Sequence, residues 1–138
     1  MIGVDTNILA RYYIEDEDDN EASRQRLAAQ RLIESGKPLM VCKTVMLELE
    51  WVMRGYYRFE PAEIVAVFNH LLTLPQVTLE DRIAVEQAVT SFEQGMDFAD
   101  SLHHASYRDC DTMASFDDRK FSRRAMRLGL VPRVVVPK

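Results

Sequence analysis

Five short apolar runs, separated by longer segments of helical period, constrain the fold of this chain more than any other feature. IGVD (2–5), LMVC (39–42), QVTL (76–79), TMAS (112–115) and RVVV (133–136) read as strands. Helical patterns fall at 6–14, 18–35, 44–57, 61–73, 81–95, 98–108 and 118–128. Gly36 and Gly129 suit helix C-terminal stops, Pro61 suits a helix start, and the acidic run from Glu15 to Asn20 suits a loop leading into the positive end of a helix. Strands alternating with helices predict an α/β chain with a parallel sheet covered on both faces, and such sheets bind ligands beyond the carboxyl ends of their strands. The 138 residues (1–138) fit one domain.

The chain is 47% hydrophobic and 28% charged, the composition of an ordinary globular protein. Its two cysteines, Cys42 and Cys110, form no CxxC pattern, so neither a disulfide framework nor a zinc knuckle is expected. No apolar run reaches the roughly 18 residues of a membrane span, and Asp5 interrupts any leader, so a cytoplasmic protein without a membrane partner is expected. Charge is uneven. Residues 117–138 carry seven Lys and Arg against two Asp, a local net of +5, which leaves −10 for the first 116. That balance argues against general, non-specific nucleic-acid coating but leaves room for one local phosphate-contacting patch.

The carboxylates follow the strand ends. Asp5 closes the first strand, where Thr6 or Asn7 is equally able to cap the following helix. In the third helix Val45, Leu49, Val52, Met53 and Tyr56 follow one buried face. Glu48 then falls on or beside that face, and Glu50 on the solvent side. An inward carboxylate is costly unless paired or metal-bound, and no inward-facing Arg is obvious. Asp97 and Asp100 stand three apart before a helix, as a capping pair or a ligand site. Asp117 closes the fourth strand after Ser115, and it too suits a helix cap. Singly, each acid has an ordinary structural role open to it. Together, Asp5, Glu48, Asp100 and Asp117 map to strand ends or the helix turns beside them. Converging carboxylates raise one another's pKa unless a cation neutralises them, and hard oxygen donors suit Mg²⁺ or Mn²⁺. The chemistry expected of such a set is metal-assisted attack of water on a phosphodiester.

VDTNIL, TVMLELEWVM, DFADSLHHA and SFDDRKF, in this order, resemble the PIN-domain nucleases, and within them the VapC-type ribonuclease toxins. The resemblance spans nearly the whole chain. It implies a three-layer α/β/α sandwich with a central parallel sheet of about five strands, a homodimer, and a metal-dependent endoribonuclease that is the toxin of a type II toxin-antitoxin pair. It further implies that Asp5, Glu48, Asp100 and Asp117 are catalytic and bind Mg²⁺ or Mn²⁺, with Asp117 preferred to Asp118 because it follows the strand directly. Asn7 would hold Asp5 or a water, Ser115 would orient Asp117 or a water, and Asp97 would support the site from behind. The implied partners are RNA and a small DNA-binding antitoxin whose arm places a basic side chain among the acids, while Arg119, Lys120, Arg123, Arg124 and Arg127 are candidate RNA contacts.

A second class of function is a non-catalytic module that docks a basic peptide in the same acidic cleft. A phosphoacceptor role for Asp5 wants a second Asp two residues on, where Asn7 stands. His103 and His104 point about 100° apart on a helix and do not share an ion easily. No P-loop, G-x-G-x-x-G or G-x-S-x-G occurs. Trp51 and Tyr57 fall outside the inner stripe of the third helix, where exposed aromatics suit a dimer seam or an antitoxin groove.

Overall fold

A computed structural model describes residues 1–117 and 120–138, so the alternative ligand Asp118 and the candidate contact Arg119 lie outside the described residues. The chain forms two compact units, Met1–Glu80 and Asp81–Lys138, each with its own parallel ladder.

In the first unit β1 (Ile2–Gly3), β2 (Leu39–Val41) and β3 (Val77–Leu79) hydrogen-bond in the order β1-β2-β3. Ile2 pairs with Leu39, and Leu39 with Val77. Two helices separate each strand from the next, as parallel pairing requires of its crossovers. These are α1 (Thr6–Tyr13) and α2 (Asn20–Ile33), then α3 (Lys43–Trp51), a π-helical turn (Val52–Tyr56) and α4 (Pro61–Thr73). Local chemistry sets the boundaries. Asp19, at the end of the acidic run, accepts from the N–H groups of Glu21 and Ala22 and so caps α2. Pro61 opens α4, where the Glu63 side chain accepts from the Glu60 N–H at 2.9 Å. Gly36 takes φ +79° just past α2. Leu9, Leu39, Val41, Met46, Leu49, Ile64, Phe68 and Leu71 are fully enclosed.

The second unit carries α5 (Arg82–Glu93), α6 (Phe98–Ser106), β4 (Thr112–Ala114), α7 (Phe121–Arg127) and β5 (Arg133–Val135). Helices α5 and α6 pack together, with Phe92 and Phe98 edge to face at 5.7 Å. Phe121 and Ala125 of α7 bury with Met96 against Met113, Leu128, Leu130 and Val134. Among the described residues no helix is long and apolar enough to cross a membrane, and both cysteines are free.

All five expected strands are present and parallel, but they pair as three and two rather than as one sheet of about five. With only two or three residues per strand each ladder holds few bonds. The strands are short because helix caps begin at once: Asp5 is already the cap of α1, and Cys42 that of α3.

The phase of α3 departs from expectation. Its buried residues are Val45, Met46, Leu49 and Glu50, continued by Met53. The stripe therefore lies about one residue further round than the Val45, Leu49, Val52 register predicts. Glu50, expected in solvent, is 2% exposed, and Glu48, expected on or beside the buried face, is exposed. Met46 is the residue that decides this, since it is wholly buried and Glu50 follows four residues on. Arg54 makes the buried acid tolerable, donating from Nε to Glu50 Oε2 at 2.8 Å while its side chain remains half exposed. The π turn then moves the helix off register. The Tyr57 N–H reaches back five residues to Val52 O, and Tyr56, expected inside, is 73% exposed. A consequence is measurable in urea titrations. Glu50→Ala is expected to lose about 1–2 kcal/mol of stability, whereas Glu48→Ala changes it by less than about 0.5 kcal/mol. Equal losses would reject the register.

Candidate active site

Asp5 is placed by the junction of β1 and α1. Its backbone is extended, and its Oδ1 accepts from the Thr6 N–H at 2.8 Å. The capping role thus falls to Asp5 itself, rather than to Thr6 or Asn7, because the helix starts at Thr6 and only its predecessor can occupy the cap position. Capping through one carboxylate oxygen leaves the group at the surface, where Asp5 and Asn7 are both exposed.

Glu48, on α3, shares a cavity with Asp5. Both line one open cavity of about 320 Å³, together with Thr6 and Asn7. Its exposure changes the physical argument for Glu48. The carboxylate is not a buried charge in need of a partner but an accessible oxygen donor beside a second one.

The second unit gathers the other acids. Asp97 caps α6, its Oδ2 accepting from the Asp100 N–H at 3.0 Å. That bond fixes the first turn of α6 and places Asp100 half-buried beside it. Burial, then the charges of Asp97 and Asp117, push the Asp100 carboxyl above its ordinary range, with His103 opposing them. Asp117 precedes α7, and its Oδ1 accepts from the N–H groups of Lys120 and Phe121 at 3.2 and 3.4 Å. Ser115 Oγ accepts from the Asp117 N–H at 3.1 Å, so it positions the backbone of Asp117 rather than its carboxylate. His104 is a core residue: its Nε2 donates to Pro132 O at 2.6 Å, and its ring lies edge-on to Phe121.

Of the candidate phosphate contacts, Lys120, Arg123, Arg124 and Arg127 are all exposed. Arg124 also donates from Nη1 to Gly95 O at 2.5 Å, which commits part of its guanidinium to the fold. Sequence reasoning passed over Thr6, Arg11 and Tyr56, which share the cavity of Asp5 and Glu48 with the anticipated Trp51 and Tyr57. Gly55, a glycine inside a helical pattern, was the available signal for the π turn that turns Tyr56 outward.

Among the described residues no three His, Cys, Asp or Glu side chains stand close enough together to hold a metal ion. The acids occur as an exposed pair in one unit and as a mutually repelling set in the other. Their chemistry fits a hard divalent cation, because all donors are carboxylate oxygens and the charges of Asp97 and Asp117, which add to the effect of burial on Asp100, are of the sign a cation relieves.

No individual curated protein matches the chain. A family comparison does: the PIN domain profile matches residues 2–126. PIN domains are generally nucleases and typically use divalent metals. The match runs from β1 through all four acids into α7, and on that extent the chain belongs to the PIN domain family.

Proposed function

We propose that this protein is a Mg²⁺- or Mn²⁺-dependent endoribonuclease, the toxin of a type II toxin-antitoxin pair, acting in the cytoplasm as a homodimer. The observation that carries this reading is the pairing of Asp5 and Glu48 in one cavity, at the positions where the resemblance to VapC-type toxins calls for ligands. Asp100 and Asp117, in the second unit, are the other two acids that the resemblance calls on as ligands. A bound divalent cation supplies Lewis acidity for the attack of water on an RNA phosphodiester and offsets the acids' repulsion of that anion.

The chain's own groups do the rest. The Thr6 N–H holds Asp5 through one oxygen, and Ser115 and the Asp97 side chain fix the backbones of Asp117 and Asp100. Lys120, Arg123 and Arg127 on or beside α7 are free of the Gly95 contact that engages Arg124 and serve as phosphate contacts. A small antitoxin inhibits by setting an Arg or Lys among the carboxylates, where it replaces the cation by charge-assisted hydrogen bonds.

The test is cleavage of total RNA by the purified chain with Mg²⁺ or Mn²⁺ and with EDTA, followed by sequencing of the new ends. Discrete ends that require the metal are expected. Cleavage that persists undiminished in EDTA rejects the metal-dependent reading, and no cleavage with either ion, in protein that binds neither by calorimetry, points to the peptide-docking module.

A further inference from the structure

Aromatic residues also line the cavity that holds Asp5 and Glu48. Trp51 and Tyr56 are 60% and 73% exposed, an unusual state for large rings. Tyr57 braces Tyr56 edge to face at 4.8 Å. Arg11, which donates from Nε to Gln25, completes the rim. The π turn is what brings Tyr56 here, since a regular helix would carry it into the core. Thr6 lies 95% buried in the same wall, so the side chains the cavity offers to a ligand are those of its neighbours.

We infer that this cavity is a nucleobase subsite: one unstacked RNA base lies on Trp51 and Tyr56, beside the polar side chains of Asn7 and Arg11. The inference rests on the ribonuclease reading and assigns the residues that place the substrate. Aromatic faces alternating with hydrogen-bonding groups are how proteins hold single bases. The volume of about 320 Å³ is at the small end of ligand pockets, roughly 300–1,000 Å³. It suits one planar group better than a partner helix, which needs a groove long enough for anchors at i, i+4 and i+7. The carboxylates decide between the parts of a nucleotide. Asp5 and Glu48 repel a phosphate but tolerate a neutral base, so the base enters the cavity and the phosphate stays at its acidic edge.

Trp51 is the sole tryptophan, so its emission reports on this cavity alone. With EDTA present and no cleavage possible, short oligo(A) and oligo(U) are titrated into the protein beside an abasic oligomer of equal charge. Saturable quenching by at least one base-bearing oligomer is expected, with about tenfold weaker binding of the abasic one. Trp51→Ala should weaken binding of a labelled oligomer about tenfold and raise KM more than it lowers kcat, while Trp51→Phe retains most of both. Equal quenching by the abasic oligomer overturns the subsite, as does unchanged affinity in Trp51→Ala. A blue shift of Trp51 emission that grows with protein concentration without RNA also overturns it, because a second copy then covers the rings. Failure of the ribonuclease reading looks different: base binding persists in EDTA while no metal-dependent cleavage is found.

Discussion

Asp5→Asn is expected to lower RNA cleavage by about a hundredfold or more while leaving the fold unchanged. The substitution separates the two roles of this residue. Asn caps helices as well as Asp does, and its amide oxygen can accept from the Thr6 N–H as Oδ1 now does at 2.8 Å. What disappears is the negative charge and with it most of the affinity for a hard cation. Glu48→Gln should behave in the same way, because Glu48 is exposed and its removal leaves no buried group unpaired. Cleavage rates with saturating Mg²⁺ and urea midpoints, measured side by side, decide the matter. A variant that cuts at the wild-type rate removes its residue from the metal site, and one that loses activity only in step with stability assigns it to the helix cap.

How much of this was legible depended on whether one residue or a count of turns carried the information. Cap chemistry was local and therefore readable: the acidic run did end in a capping Asp19, Pro61 did open α4, and Gly36 and Gly129 do take the positive φ values that stop α2 and α7. Strand positions were readable for the same reason, as apolar runs bounded by polar residues. Pairing was not, because two- and three-residue strands carry too little pattern to say which of them join one ladder. In α3 the apolar residues cover more than one face, so Val45, Leu49 and Val52 allowed a register one residue from the true one, and Met46 settled the choice only through packing. The exchange of Glu48 and Glu50 followed from that single step. Glu48 therefore has no inward phase to place it in the candidate site; what places it there is the resemblance carried by TVMLELEWVM together with the cavity it shares with Asp5. The π turn after Trp51 leaves no trace in the sequence beyond Gly55, so the apolar spacing puts Tyr56 in the core and shows only part of the aromatic wall. Capping by Asp5, Asp97 and Asp117 is open in the sequence as an alternative to ligation. Asp5 and Asp97 do cap their helices, and Asp117 accepts from two N–H groups at the start of α7; all three uses are compatible with ligation because each occupies a single oxygen.

Asp100→Asn should abolish cleavage and yet make the metal-free protein more stable at neutral pH. Burial and the charges of Asp97 and Asp117 raise the folded-state pKa of Asp100 above its unfolded value. The folded chain therefore holds this proton more tightly than the unfolded chain does. Its contribution to stability is fully present below the unfolded carboxylate pKa of about 4 and is lost as pH rises through the higher folded value. At neutral pH the wild type thus carries an unfavourable charge that Asn removes. The Asp100 N–H keeps its bond to Asp97 in either case, because that bond is made by the backbone. Half-exposure screens the repulsion, so a gain in Tm of about one or two degrees is expected for a chain of this size. The gain should vanish below about pH 4, where both proteins are neutral at this position. Millimolar Mg²⁺ should reverse the order, since a ligand that binds the folded wild type stabilises it by mass action and the variant has lost a donor. Melting curves with EDTA and with Mg²⁺ across this pH range test the sign directly. If Asp100→Asn were equally destabilising at every pH, Asp100 would be a structural hydrogen-bonding residue, and the repulsion that a cation is expected to relieve would not exist.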